Sequence, residues 1–398
     1  MRQPVRTVTI ASTASSPSHG LFTIAEDAQY RRTLQETVMS KSSHSPTVPV
    51  AAVLLSFVAL TACANDSIPA ETTTEQTVVE FAASPDETDE PQSLAEGDVA
   101  SVFTDPAFEV RITKDVVYAQ GLSHESPNSD AAVEMDLLLD VYEPVRSDDV
   151  TMPAVVMIHG GGFTGGSKQT GWIKDMAPWF ASRGWVVYSV DYRVAGDLGT
   201  IPADYPTAPE GATAKQVDQW RALYPACRDA KAAIRWVSAT ADEYSIDPDH
   251  IAVVGGSAGS ALAVTLGVTD QGDCTDEVSV EEDPTLLTTN LDQSSEVTTV
   301  IDHWGTTAIV TALELMDGID RFDPTDAPVS IVHGTEDRTV DFAEAEAIRA
   351  EYERTGVTYE WNPLVGRGHG VWEATIDGQS LSESAADFII ETQSLPVG

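Results

Sequence analysis

From Val110 onward, short apolar runs rich in β-branched residues recur, with helical patterns between them. The runs are VRITKDVVYA (110–119), MDLLLDVYE (135–143), AVVMIHG (154–160), WVVYSVDYR (185–193), HIAVVGGS (250–257), VTTVIDHW (297–304), PVSIVHGT (328–335) and VTYEWNPL (357–364). Several are apolar at consecutive positions rather than alternate ones. Such a strand needs cover on both faces, which is the condition of a parallel sheet clothed by helices. Helical patterns at 230–239, 257–266, 341–354 and 382–392 supply that cover. The third starts on Asp341 and ends on Arg354, signs that suit the helix dipole. The chain is therefore expected to be α/β: a mostly parallel, doubly wound sheet of about eight strands with helices on both faces. No helix separates the first runs, so they should form an antiparallel edge.

The fifth run leads into Gly255-Gly256-Ser257-Ala258-Gly259 and then a helical pattern. A G-x-S-x-G pentapeptide between strand and helix is a nucleophile elbow. The turn is too tight for side chains at the flanking glycines, and the serine is held strained with its Oγ exposed. As bare text the pattern arises by chance in about one chain in eight of this size; the strand–turn–helix setting makes it specific. His159-Gly160-Gly161-Gly162 ends another strand, where unobstructed backbone N–H groups can converge on an oxyanion. His159 itself reads as a scaffold residue of that loop.

A serine hydroxyl needs a base. The histidines available are His124, His159, His250, His303, His333 and His369. His369 lies in the glycine-rich loop 365–370 after the last strand and is the first choice. His250 precedes the strand that leads to Ser257, so it belongs at the opposite sheet end. His333 sits inside a strand and reads as core, whereas His303 ends a strand and stays a rival. The base needs an orienting carboxylate. Asp337, in the loop after 328–335, is preferred, with Glu336, Asp341 and Asp302 as competitors. The order Ser257, Asp337, His369 is that of α/β-hydrolases and not of chymotrypsin- or subtilisin-like proteases.

The motifs LDVYEP (139–144), VVMIHGGGFTGGS (155–167), YSVDYR (188–193), CRDAKAAIRWV (227–237), IDPDHIAVVGGSAG (246–259), IVHGTEDRTV (331–340) and GRGHG (366–370) resemble the esterase/lipase branch of the α/β-hydrolase superfamily. The likeness is to the HGGG-bearing group related to hormone-sensitive lipase and carboxylesterases, and it spans about residues 110–395. It implies Ser257 as nucleophile, His369 as general base and acid, Asp337 as orienter, and an oxyanion hole from the N–H groups of Gly161, Gly162 and Ala258. It implies a carboxylic ester hydrolase for small to medium esters, working without cofactor or metal. The alternatives are a polysaccharide-deacylating or polyester-cleaving esterase, and a catalytically dead scaffold on the same fold. Two departures stand out. Ser260 replaces a glycine common after the elbow, and Asp341 replaces a frequent proline.

Long segments at 194–226 and 270–296 are expected to form a cap over the site. Tyr205, Trp220 and Tyr224 lie in the first, and Trp172, Trp179 and Trp304 lie near strand ends or loops.

Of 398 residues, 63 are Asp or Glu and 22 are Lys or Arg, a formal net charge of −41. Such a surface repels nucleic acid and anionic headgroups, so neither is expected as a partner. Residues 48–62 form an apolar run too short for a membrane span of about 20 residues but suited to a signal-peptide core. It ends Leu60-Thr61-Ala62-Cys63, which resembles a bacterial lipobox with Cys63 as the lipidated residue. Residues 39–62 read as a lipoprotein signal peptide with translation starting at Met39, and 1–38 as an upstream mis-start. Residues 63–100 read as an acidic, Thr-rich disordered tether, and 101–398 as the catalytic domain. An exported enzyme is expected, held at the cell envelope as a lipoprotein or else secreted after an ordinary signal-peptide cut near Ala62 or Ala64. Cys227 and Cys274 would then be an even pair in an oxidising compartment and a possible disulfide. Against it, Cys227 is expected just before a helix running away from the catalytic face, and Cys274 after another running the same way.

Overall fold

The computed structural model describes residues 99–148 and 150–398, and the backbone of residues 76–79. A nine-stranded sheet organises them: β1 (Gln76–Val79), β2 (Val110–His124), β3 (Ala132–Pro144), β4 (Met152–Ile158), β5 (Val186–Val190), β6 (Ile246–Gly256), β7 (Thr299–His303), β8 (Val329–Gly334) and β9 (Tyr359–Leu364). Their order is β1-β2-β3-β5-β4-β6-β7-β8-β9. Pairing is antiparallel from β1 through β5 and parallel from β5 to β9. All eight expected strands are present, and the sheet is that of an α/β-hydrolase. A small hairpin, β10 (Thr375–Ile376) with β11 (Gln379–Ser380), lies outside it.

The helices are α1 (Gly171–Ala181), α2 (Ala214–Ala239), α3 (Ala241–Tyr244), α4 (Ala258–Val268), α5 (Ala308–Asp317), α6 (Phe342–Thr355) and α7 (Leu381–Gln393). Strand β4 shows why the consecutive apolar pattern demanded two layers. All of Met152–Ile158 is buried. Ala154, Val156 and Ile158 pack into a core shared with α2, α4, α5 and α6, whereas Val155 and Met157 enter a second core with α1 and α7. The two-residue period of the pleat sends alternate side chains to opposite faces, and both faces are covered.

Three boundaries differ from expectation. Residues 76–79, read as tether, form β1 antiparallel to β2. Thr77, Val78 and Val79 are β-branched, and β2 offers an open edge whose N–H and C=O groups need partners. The rest of the tether, the signal segment and Cys63 lie outside the described residues. The folded unit also takes in Val99 and Ala100, both buried, and Ala100 N–H donates to Thr151 O at 2.8 Å.

The third difference is α2, which begins at Ala214 rather than at 230. Thr213 caps it in a reciprocal box with Gln216, and the helix carries Pro225 inside it. Its first half therefore occupies part of the expected loop 194–226. Cys227 sits mid-helix, where it bridges to Cys274 with 6.0 Å between α-carbons. The objection to this disulfide rested on placing Cys227 before a helix, and that placement was wrong.

The bridge pins segment 270–296 along the flank of the sheet. Arg228 pairs with Asp283 at 2.7 Å, Arg235 donates to Thr275 Oγ1 at 2.8 Å, and Gln120 N–H donates to Thr288 Oγ1 at 2.9 Å. The segment's polar bonds run to α2, β2, Thr200 and Arg321, which brace it along the flank toward the catalytic end. The other insertion does border that end: Ala195 N–H donates to Phe163 O at 2.7 Å, next to the HGGG loop.

Candidate active site

Strand β6 delivers Ser257 at its carboxyl end, and α4 departs at once. Ser257 has φ 58° and ψ −119°, a conformation costly for a side-chain-bearing residue. The flanking glycines make room for it. A Cβ at Gly255 would stand 2.3 Å from Gly259 O, and one at Gly259 would stand 2.0 Å from Ile158 O. Ser257 N–H donates to His303 O at 2.9 Å, tying the elbow to β7.

Loops after β8 and β9 bring Asp337 and His369 to it. Ser257 Oγ–H donates to His369 Nε2 at 2.9 Å, and His369 Nδ1–H donates to Asp337 Oδ2 at 2.7 Å. The Asp337 side chain is fully buried, and Oδ1 accepts the N–H groups of Thr339 (2.7 Å) and Val340 (3.1 Å). Burial would raise its pKa. The hydrogen bonds from His333 and His369 and from backbone N–H groups outweigh that and hold the carboxyl well below the usual carboxylate range. His333 is core, as expected, with Nε2 3.0 Å from Val340 O and 3.4 Å from Asp337 Oδ2. It approaches the same carboxylate oxygen that His369 bonds.

The HGGG loop leaves β4 beside the elbow. Among the described residues, the N–H groups of Gly161, Gly162 and Ala258 donate to no acceptor. Gly162 O accepts from Gln219 Nε2 at 2.8 Å, which fixes the peptide plane. His159 is buried, stacks on Tyr192 with ring centroids 4.3 Å apart, and donates from Nδ1 to Gly160 O at 2.6 Å. Burial lowers its pKa, so it is a neutral scaffold residue.

Lys168 anchors the far end of the same loop. Its buried Nζ lies 2.7 Å from Asp115, 3.4 Å from Asp191 and 3.5 Å from Asp140, and its N–H donates to Asp191 Oδ1 at 2.6 Å. This cluster was not singled out from sequence, because its three acids come from three separate segments.

The competing residues have other duties. His303 is buried against Trp304 and Trp372, and burial lowers its pKa to about 4. His250 pairs with Asp247 at 3.1 Å, and His124 bonds Ser129 O and Thr200. Glu336 is exposed, and Asp341 caps α6 through Ala343 N–H at 3.0 Å. That cap accounts for the acid where a proline is frequent. Asp302 accepts from Ser260 Oγ and from Gly305 N–H (2.8 Å). Ser260 thereby ties α4 to the β7 loop, a task glycine could not perform.

Tyr205 packs against Trp220 and Tyr224 of α2, its OH donating to Trp220 O at 3.0 Å. Trp179 turns away and carries Arg183 over its ring at 3.9 Å. Trp172 and Trp304 do reach the site, and so does Trp372, which sequence reading passed over. It follows His369 by three residues in the same loop, which was the available signal.

The sheet order, the strand–turn–helix elbow and the convergence of Ser257, Asp337 and His369 at the strand ends are those of an α/β-hydrolase fold. The BD-FAE family model matches residues 139–206 and 217–320. The matched segments contain His159–Gly162 and Ser257 and stop short of Asp337 and His369. Over 133 residues the chain is 32% identical to the fumonisin B1 esterase of Sphingopyxis macrogoltabida, covering 33% of this chain and 22% of that one. Over 134 residues it is 33% identical to esterase LipC of Mycobacterium tuberculosis, covering 33% and 27%. The chain thus spans about a quarter of the length of these relatives. Among solved structures, the apo form of Thermogutta terrifontis esterase 2 is 24% identical, covers 74% of this chain and 97% of that chain, and superposes with a TM-score of 0.49.

Proposed function

We propose that this protein hydrolyses small to medium carboxylic esters through an acyl-enzyme on Ser257. The observation that carries the reading is the hydrogen-bonded line Ser257–His369–Asp337 beside the undonated N–H groups of Gly161, Gly162 and Ala258. His369 Nε2 takes the Ser257 proton as Oγ attacks the ester carbonyl. The three N–H groups hold the oxyanion, whose loss of one donor costs about 3 kcal/mol of barrier stabilisation. Asp337, held ionised, fixes the His369 tautomer and stabilises the imidazolium. The alcohol leaves with the proton from His369. Water, activated by the same nitrogen, then attacks the acyl carbonyl and frees the acid. The fumonisin B1 esterase and esterase LipC, to which parts of the chain are similar, support this reading.

A fluorophosphonate probe should label the wild-type chain and leave folded Ser257→Ala unlabelled. Wild-type protein that folds yet neither takes the label nor hydrolyses p-nitrophenyl acetate would refute the proposal.

We further propose export and tethering through a lipid on Cys63, on the strength of the apolar run 48–62 and Leu60-Thr61-Ala62-Cys63. Metabolic labelling with a fatty-acid analogue should mark the protein in a bacterial host, and Cys63→Ser should abolish the mark. Equal labelling of both would exclude it.

A further inference from the structure

Three tryptophans, from α1 and from the loops that follow β7 and β9, meet beside the residue that precedes the nucleophile. Trp172, in the first turn of α1, stacks on Trp372 with centroids 4.2 Å apart and planes 8° from parallel. Trp304 packs edge-on against Trp372 at 4.7 Å, and His303 does so at 5.1 Å. Trp304 and His303 are buried, so the stack rests on rigid core and has no room to retreat. Trp172 and Trp372 are half-buried, so each keeps surface toward the open side.

The stack presses on the elbow itself. A Cβ at Gly256 would stand 2.6 Å from Trp372 Cζ2 and 3.7 Å from Trp172 Cζ2. The G-x-S-x-G pattern leaves this position open. Its being glycine here is what lets the indole close on the residue that precedes Ser257. The volume on this side of the nucleophile is thus filled by two rings that brace each other.

We propose that the Trp172–Trp372 stack sets an upper size on the ester group that projects to this side of Ser257, making the enzyme selective for short-chain esters. The inference rests on the ester-hydrolase reading above. A chain longer than the remaining space must displace an indole that is stacked on Trp172 and braced by Trp304 and His303, and each excess methylene is resisted by packing.

The test uses two homologous series with the full chain. One lengthens the acyl group, as p-nitrophenyl acetate, butyrate, octanoate and laurate. The other lengthens the alcohol, as ethyl, butyl and octyl acetate. In one series the wild-type kcat/KM should fall at least about tenfold between the four-carbon and eight-carbon members, the scale on which pockets discriminate small apolar increments. The series that falls identifies which half of the ester faces the stack. Trp372→Ala should raise the long-to-short ratio in that series by about tenfold or more, and Trp172→Ala should raise it less. Because the readout is a ratio within one protein, a general loss of activity in a variant does not mimic it. Trp172→Ala serves alone if Trp372→Ala fails to fold. The proposal is overturned if wild type treats octyl and short esters alike in both series, or if the ratio stays unchanged in folded variants. Absence of hydrolysis and of probe labelling in wild type would instead overturn the ester-hydrolase reading.

Discussion

Reducing the Cys227–Cys274 disulfide should lower global stability by about 4 kcal/mol while leaving folded-state catalysis unchanged. The bridged residues are separated by 47 positions. Chain-entropy closure of a loop that size, with ΔS of about −2.1 − 1.5R ln n cal/mol/K, comes to about 4 kcal/mol near room temperature. Both cysteines are buried, and reduction changes no residue, so the comparison bears mainly on the cross-link. The expectation for catalysis follows from position, because the bridge ties 270–296 to the flank of α2 and not to the loops carrying Ser257, Asp337 or His369. Urea unfolding of oxidised and reduced protein, followed by tryptophan fluorescence at neutral pH, gives the difference directly. p-Nitrophenyl acetate hydrolysis before the transition checks the second half. A single cooperative transition shifted by less than about 1 kcal/mol would refute the entropic argument. Two transitions in the reduced protein would show that segment 270–296 unfolds as its own unit.

Asp337→Asn should lower kcat by about 10⁴-fold with little change in KM, because an amide favours the wrong His369 tautomer; steady-state kinetics on a folded variant check it. Ser260→Gly, toward the residue common in relatives, should cost about 1–3 kcal/mol in denaturant unfolding. It removes a donor from Asp302, whose Oδ2 already has no partner among the described residues. The third prediction concerns His303, buried with a pKa of about 4 against about 6.5 when unfolded. Between those values the unfolded chain binds the proton and the fold does not, so stability falls as pH drops from about 6.5 to 4, by roughly 3 kcal/mol. His303→Gln should flatten that part of the stability–pH curve, and an unchanged slope would count against the assignment.

The candidate site was legible because its motifs are local. The elbow, the HGGG loop and the Asp337 and His369 loops each sit at the end of an apolar run, and a parallel sheet delivers all such ends to one edge. The flank was less legible. Residues 214–229 read as loop, yet the capped N-terminus at Thr213 and the long buried face of α2 carry a helix through them, Pro225 included. β1 was missed because pairing belongs to two strands, and nothing in Gln76–Val79 alone names β2 as its partner.

The residue pattern by itself determined the fold class and eight of the sheet's strands, and it nominated Ser257, Asp337 and His369 as the candidate site. Periodicity and turn chemistry act over a few residues, and these features need no more. Only the tertiary structure decided which groups meet across the chain. It set Lys168 among three acids from separate segments, joined Cys227 to Cys274, and closed Trp172 and Trp372 on Gly256. Such contacts depend on distances between elements far apart in sequence, which packing sets and local preference does not encode.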